Sequence, residues 1–161
     1  MERERQGGMG VLESAKVAMT GLEMMFGRIR ARLDDPEVDL AFRPDETWNI
    51  YGAIVKHICH TTRAYVVNRM AGGEVPVPPA AEQWSGEGIG RDELHRLVDE
   101  TEAMVRTSLE GMTAGAWEEE VELYNRRLRR GDLPLWALVH GSQHVGQLLL
   151  MDRVRRNRST A

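Results

Sequence analysis

Four helix-length segments with apolar residues at helical spacing make up most of this sequence, and loops rich in glycine and proline separate them. In the first segment the apolar residues recur at alternating steps of four and three, which places them in one stripe on a helix. They are Val11, Ala15, Ala18, Leu22, Met25 and Ile29. Strand signals are nearly absent. The pattern therefore predicts an all-α fold, a four-helix bundle with long loops after helices two and three.

Turn and capping residues give the expected bounds of these helices, which are 10–33, 45–71, 91–109 and 133–156. Pro36 ends the first helix, because the residue before a proline avoids the helical region. Asp45 is the predicted N-cap of the second helix. Prolines in the loop 73–90 prevent regular structure there beyond a turn of helix near its middle. Residues 113–131 predict an irregular, partly exposed connection with a short extended piece.

Length and composition limit the class of protein. A chain of 161 residues is the size of one domain, and we expect a flexible N-terminus (1–8), one bundle (9–157) and a flexible C-terminus (158–161). The formal net charge of −4 argues against a nucleic-acid partner. No apolar run reaches the roughly 20 residues of a membrane span, and the charged start lacks the apolar core of a signal peptide. We therefore expect a soluble, cytoplasmic protein with no membrane partner.

The placement of the histidines is the most informative feature for function. His140 and His144 are four residues apart on the last predicted helix, so their side chains lie one turn apart on one face. Two imidazoles at that spacing can bind one metal ion. Gly141 stands where a metalloprotease helix would carry its glutamate, which excludes that motif. The pair predicts a metal site of another kind.

A useful metal site needs a third ligand, and His57 is the first candidate. It lies between Ile54 and Ile58 on the second helix and borders its apolar face. His60 is the reserve candidate and could replace His57, whereas His95 is expected at an end of the bundle. The alternative is that the histidines pack in the bundle and bind no metal.

Few other residues point to chemistry. Cys59 is the only cysteine, so no internal disulfide can form and a cysteine-based zinc module is excluded. We interpret it as a small buried side chain. Gln147 lies one turn beyond His144 and could orient a ligand or bound water, with a helix-packing amide as the alternative. Gly141 and Gly146 could permit the close approach of another helix or of a ligand, and we interpret them as positions of close helix packing. Four aromatic residues could line a pocket or fill the core: Trp48, Tyr51, Trp84 and Trp136.

Two short motifs carry a family resemblance. One is Leu138-Val-His-Gly-Ser-Gln-His-Val-Gly-Gln-Leu, with a histidine, three residues, a second histidine and then Gly-Gln. The other is the apolar frame Tyr51-Gly-Ala-Ile-Val-Lys-His57-Ile. From about residue 10 to 156 the chain resembles the DinB/YfiT-like superfamily of metal-dependent bundles. The resemblance implies a four-helix bundle and a divalent ion held by His57, His140 and His144. Val145 departs from the pattern, because many relatives have a basic residue before Gly-Gln.

The expected ligand set limits the chemistry without choosing one reaction. Three imidazoles leave an open position on zinc or nickel, where water or a thiol can bind. Some members of the superfamily are thiol-dependent transferases or isomerases, so the resemblance implies a low-molecular-weight thiol as co-substrate. We expect a metal-dependent thiol (S-)transferase or hydrolase acting on a small-molecule substrate. The alternative is a non-catalytic metal-binding or stress-associated binding protein. No catalytic residue is assigned, and broad apolar faces favour a homodimer.

Overall fold

The computed structural model describes residues 2–85 and 90–159, and within that part the chain is mostly helical with one small antiparallel sheet. The elements in chain order are α1 (Glu2–Leu33), α2 (Tyr51–Thr62), a π-helix (Arg63–Met70), α3 (Ala80–Gln83), α4 (Arg91–Glu110), α5 (Ala114–Glu118), β1 (Glu120–Leu123), β2 (Arg126–Arg129), a 3₁₀ turn (Arg130–Asp132) and α6 (Leu133–Ser159). The helical fold class is confirmed, and the sheet is the part that departs from an all-α fold. No described helix combines the length and the apolar character that crossing a membrane requires.

One hydrophobic core holds the long helices together. Helix α1 packs on α4 and α6, and α2 packs on the same two helices. Each contributes fully buried apolar side chains, such as Ile29, Ile58, Val98 and Leu148. Burying a side chain of this size contributes about 1.5–3 kcal/mol. The core therefore keeps α2 and α6 side by side, and these two helices carry the predicted histidines.

Helix α1 begins at Glu2, eight residues before the predicted start at Gly10. It ends at Leu33 as predicted, and Arg91 donates hydrogen bonds to carbonyls just at and after that end, those of Leu33, Asp35 and Val38. Arg91 thus satisfies carbonyl groups that a helix terminus leaves without an intrahelical partner. The flexibility of the two chain ends stays a prediction, and residues 160–161 lie outside the described part.

The predicted start of the second helix at Asp45 is wrong. The Asp45 carboxylate accepts hydrogen bonds from the backbone N–H and the hydroxyl of Thr47, at 2.8 and 2.6 Å. These bonds close a local turn, a conformation in which aspartate competes with helix formation. Helix α2 begins instead at Tyr51, after the extended residue Ile50.

A π-helix continues α2 and contains Tyr65. The prediction ended one helix at Ala71, and the structure ends this helical run at Met70, with the last eight residues in π geometry. The Ala71 N–H bonds to the carbonyl of Val66, five residues back. Gly72 then has a φ of +76°, which glycine adopts without a steric penalty.

The extended piece predicted within 113–131 is confirmed as the hairpin β1–β2. Glu120 pairs with Arg129 and Leu123 with Arg126. Tyr124 and Asn125 form the turn, with φ values of +51° and +60°. Positive φ angles at both central residues give a two-residue hairpin loop a twist that matches that of the flanking strands. The hairpin therefore carries Tyr124 at its tip.

Candidate metal centre

Three histidines meet between α2 and α6. His57 comes from α2, whereas His140 and His144 come from successive turns of α6. One nitrogen atom from each ring lies within 4.8 Å of the corresponding atoms of the others, and each residue is partly buried. Tetrahedral ligands held 2.0–2.1 Å from zinc are about 3.3 Å apart, which is inside that limit. These three residues form a cluster that could hold a metal ion.

A glutamine fixes the orientation of His57. The Nδ1 of His57 lies 2.9 Å from Gln83 Oε1, and Gln83 Nε2 donates to the Pro78 carbonyl at 2.7 Å. Because an amide oxygen only accepts, this network assigns the proton to His57 Nδ1 and leaves Nε2 with a lone pair. That nitrogen is the atom that faces the other histidines.

The same arrangement occurs at His144. Its Nδ1 lies 2.8 Å from Gln147 Oε1, so the assigned proton is again on Nδ1 and Nε2 carries a lone pair. The Gln147 side chain is exposed, and its amide oxygen contacts the ring of His144. A histidine whose second nitrogen donates to an oxygen is the usual state of a metal ligand.

The contact between His57 and His140 tests whether the cluster fits a cation. Their Nε2 atoms are 2.9 Å apart. Because His57 carries its proton on Nδ1, two arrangements can explain this contact. Either His140 Nε2 carries a proton and donates it in a hydrogen bond to His57 Nε2, or a cation lies between the two nitrogens. No hydrogen bond holds His140 Nδ1 in the described part of the chain, so His140 can present the lone pair that a cation needs. The residues present therefore fit a divalent ion.

Burial favours the neutral form of two of the clustered rings, those of His57 and His140. Burial lowers the pKa of His57 to about 4, and the neighbouring His144 and His140 lower it further, while the hydrogen bond to Gln83 opposes them. Burial, and then His144, also lower the pKa of His140. Since only a neutral imidazole has a lone pair to donate, these environments favour the form that binds metal.

The α3 segment covers one side of His57. Trp84, the residue after α3, stacks on the His57 ring with the centroids 4.0 Å apart. Lys56 Nζ donates to the carbonyls of Glu82 and Ser85, at 3.3 and 3.1 Å, and so ties this segment to α2. Of the four aromatic residues considered above, Trp84 contacts the cluster, whereas Tyr51 is in the core.

A tyrosine pair lies on another side of the cluster. The Tyr65 ring is 6.4 Å from the His140 ring, and its hydroxyl is 2.9 Å from that of Tyr124 at the hairpin tip. Arg69 donates to the Glu122 carbonyl and holds the hairpin against the π-helix. The sequence does not identify Tyr65, Tyr124 or Gln83 as site residues, because no spacing along the chain links them to the histidines.

The remaining candidates lie apart from the cluster. His60 faces α4 in a separate cavity, so the reserve arrangement is not the one found. His95 Nε2 is 3.4 Å from an Asp34 carboxylate oxygen. Cys59 is fully buried, as predicted, and burial raises the pKa of its thiol to about 12. It is therefore no nucleophile at neutral pH.

The two glycines beside His144 differ in their surroundings. A β-carbon on Gly141 would lie 2.2 Å from Met25 Sδ and 3.3 Å from Ile58 Cγ2. At Gly146 a β-carbon would meet nothing within 4 Å. The close-packing interpretation is confirmed for Gly141 and is wrong for Gly146. Gly141 lets α6 approach α1 and α2, which brings the histidines of α6 near His57.

Comparison with known proteins gives a match to a protein family. A family model described as the DinB superfamily matches residues 22–148 of the chain. That span includes His57, His140 and His144, as well as both glutamines that contact them. No curated protein matches the chain significantly.

Proposed function

This chain belongs to the DinB superfamily, and from that premise we propose that it is a metal-dependent enzyme, a thiol (S-)transferase or hydrolase acting on a small molecule. In this proposal His57, His140 and His144 bind one divalent ion, zinc or nickel. The four long helices, α1, α2 with its π-helix, α4 and α6, are then the four-helix bundle of the family. A homodimer and a cytoplasmic location stay predictions.

The observation that carries the proposal is the hydrogen-bonding state of the cluster. Two of its rings place Nδ1 against a glutamine oxygen, and one nitrogen of each of the three rings lies within 4.8 Å of the other two. Packing or polar satisfaction alone does not call for three imidazoles aimed at one point, since each buried polar group could pair with a separate partner. A shared cation accounts for all three.

The ligand set supports a reactive site over a structural one. Structural zinc sites usually have four protein ligands, whereas catalytic sites keep a position open. In residues 2–85 and 90–159, the group has three histidines and no fourth histidine, cysteine or carboxylate. When bound, a divalent ion supplies Lewis-acid chemistry and lowers the pKa of a water or thiol. That chemistry serves hydrolysis and thiol transfer equally, and the family resemblance favours a low-molecular-weight thiol as co-substrate.

The residues of this chain around the cluster have distinct roles in the proposal. Gln83 and Gln147 orient the ligating rings, and Trp84 shields His57 from water on its stacked face. The Tyr65 ring lies near His140, and its hydroxyl, paired with that of Tyr124, can bind a polar atom of the substrate. Burial, and then the hydrogen bond with Tyr124, raise the pKa of Tyr65. Its hydroxyl therefore stays protonated at neutral pH.

Metal content tests the proposal directly. We expect elemental mass spectrometry of the untagged chain, purified without chelator, to find about one divalent ion per chain. His144→Ala removes one of three ligands and should abolish that content while circular dichroism stays helical. His95→Ala is the matched control, because it removes a histidine that contacts Asp34 outside the cluster. Its metal content should equal that of the wild type.

Two outcomes would count against the proposal at different levels. Unchanged metal in His144→Ala, or no uptake of added zinc or nickel by the wild type, would contradict the metal site. Bound metal without thiol transfer or hydrolysis across a substrate screen would contradict the enzymatic part. That second result would favour the alternative of a non-catalytic metal-binding protein.

A further inference from the structure

The outward faces of α1 and α6 carry most of the large exposed apolar side chains of this molecule. Seven such side chains are exposed in the described part of the chain, and six of them belong to these two helices. A single exposed apolar residue needs no explanation, whereas a contiguous group marks an interaction site. The six are Val17 and Met24 on α1, and Leu135, Val139, Leu149 and Leu150 on α6.

Helix α6 lacks the charged face of a helix that borders solvent. No aspartate, glutamate, lysine or arginine occurs from residue 133 to residue 151. Helix α4 shows the ordinary pattern, because most of its exposed positions hold charged residues such as Glu93 and Arg96. A helix that is apolar around its circumference is typically covered on every side. The described chain covers the inner side of α6 and leaves Leu135 and Val139 59% and 50% exposed.

Two grooves between α1 and α6 give this surface its shape. A β-carbon on Gly21 would lie 2.6 Å from a Leu138 methyl group, so the two helices touch there. On one side of this contact lies a groove of about 410 Å³, which Val17 and Leu135 line. On the other side lies a groove of about 220 Å³, which Met24 lines. The surface, here named the α1–α6 face, consists of Val17, Gly21 and Met24 on α1 and of Leu135, Leu138 and Val139 on α6.

The two helices run in the same direction, which gives the face two distinct ends. Arg32 of α1 reaches Asp152 of α6, and both residues lie C-terminal to the contact just described. The larger groove therefore lies toward the N-terminal ends of both helices, and the smaller groove lies toward their C-terminal ends.

The two ends of the face carry opposite charges on α1. Exposed Glu13 lines the larger groove, and exposed Arg28 lines the smaller one. Glu13 contacts Lys16 at 2.8 Å, but an exposed pair of this kind is weak and leaves the carboxylate able to accept another partner. Arg129 also lines the larger groove, where Asp132 neutralises it at 2.9 Å. The rim of the face thus runs from an acidic to a basic residue.

A twofold axis through the point where α1 and α6 touch matches this face to itself. In such a dimer each helix lies antiparallel to its own copy, and residues equally far from the axis face each other. Val17 and Met24 lie four and three residues from Gly21, on opposite sides of it. Glu13 and Arg28 lie eight and seven residues from it. The symmetry therefore sets apolar side chains against apolar ones and an acidic group against a basic one.

We propose that the α1–α6 face binds a second copy of this chain in an antiparallel twofold dimer. Met24 of each copy enters the larger groove of the other copy, beside Val17 and Leu135. A methionine suits this position because its flexible thioether side chain fills irregular apolar gaps. Arg28 of each copy pairs with Glu13 of the other at the rim. The proposal gives the homodimer expected from the sequence a specific surface, and it does not rest on the metal centre.

Sedimentation equilibrium of the untagged full chain tests the dimer. We expect a mass of twice the 18.2 kDa of one chain. Met24→Glu and Val139→Glu each bury a charge in the interface and should raise the dissociation constant at least about tenfold. Leu150→Glu is the matched control, because Leu150 is 47% exposed and lies on α6 about three turns beyond Val139, outside the face. It should dimerise as the wild type does, and circular dichroism should find every variant helical.

Reversal of the rim charges tests the antiparallel arrangement. Glu13→Arg alone sets arginines against each other across the interface, and Arg28→Glu alone does the same with glutamates. Each should weaken dimerisation about threefold, because exposed ion pairs contribute little. The double variant Glu13→Arg/Arg28→Glu restores opposite charges and should dimerise with the affinity of the wild type.

Four results would overturn the proposal. A monomeric mass at the highest concentration at which the chain is soluble would contradict the dimer. A dimer that Met24→Glu and Val139→Glu leave unchanged would place the interface on another surface. A double charge variant as weak as the single variants would contradict the antiparallel arrangement. A monomer that cosediments with vesicles of phosphatidylcholine and phosphatidylglycerol, but not as Val139→Glu, would assign the face to a lipid surface.

Discussion

Gln83 shows how a single residue outside the predicted set can control the cluster. Its amide bridges His57 and the Pro78 carbonyl, which leaves the ring little freedom to turn. We predict that Gln83→Ala weakens zinc binding about 10–100-fold, the usual loss when a group that orients a metal ligand is removed. Competition with a chromophoric chelator measures the affinity. Gln143→Ala, an exposed glutamine of α6, is the control.

An unchanged zinc affinity in Gln83→Ala would mean that Trp84 alone holds the His57 ring. Gln83→Glu tests whether the hydrogen bond itself matters, because a carboxylate can still accept a hydrogen bond from His57 Nδ1–H. We expect this variant to retain most of the affinity. The three variants together distinguish orientation of the ring from general damage to α3.

At the residue scale, the sequence predicts groups that a helix brings together and misses those that a loop brings together. His140 and His144 follow from spacing alone, since four residues make one turn. Gln83 is 26 residues from His57 and reaches it only through the path of the proline-containing loop. No periodic rule relates the two positions, and the same holds for Tyr65 and Tyr124.

The helices differ in how well their bounds could be predicted. Helix α4 has clear limits, Gly90 before it and Gly111 after it, and its predicted bounds differ from the structure by one residue. The start of α2 could not be placed correctly, because Asp45 has two competing uses, a helix cap and a turn. The π-helix could not be recognised at all, since its residues have ordinary helical propensities.

The glycines of α6 allow a matched test of helix packing. We predict that Gly141→Ala destabilises the protein by about 1–3 kcal/mol, because the new methyl group overlaps Met25 on α1. Gly146→Ala should instead stabilise it by up to about 1 kcal/mol, because alanine favours a helix and nothing lies nearby. Urea unfolding at equilibrium measures both free energies. Equal effects of the two substitutions would contradict this account of Gly141.

For the whole molecule, the buried histidines predict a sensitivity to acid. Burial lowers the pKa of His60 to about 4, with Arg63 and Lys56 contributing, and the pKa of His57 is similarly low. The unfolded chain takes up these protons near pH 6.5, whereas the folded chain resists them. Folding stability should therefore decline as pH falls from about 6.5 to 4. Above about pH 6.5 the buried neutral histidines should make their full contribution to stability.

Thermal unfolding of metal-free protein checks this prediction. We expect the Tm to fall by several degrees between pH 7 and pH 5, and to fall less in His60→Gln, which removes one of the groups. A Tm that is constant over this range would contradict it. His95→Ala serves as the control, since His95 is not one of the groups invoked.

The general architecture could be predicted because the periodicity of four long segments leaves few alternatives. The sequence predicts the hairpin β1–β2 only as a short extended piece. Its position depends on the Arg69–Glu122 contact and on the tyrosine pair, both of which are tertiary. Local sequence therefore predicts the helices and leaves the position of the hairpin to packing.

The histidine pair that meets at the cluster also has a consequence for folding kinetics. His57 and His140 are 83 residues apart in the chain, so an ion bound by both would close a long loop, much as a cross-link does. In the unfolded chain, binding the ion would require closing this loop at a cost in conformational entropy, so binding would be weak. In the native chain the loop is already closed. An ion at 1,000 times its dissociation constant would add about 4.1 kcal/mol of stability. If the histidines come together only after the rate-limiting step of folding, this added stability slows unfolding and leaves the folding rate nearly unchanged.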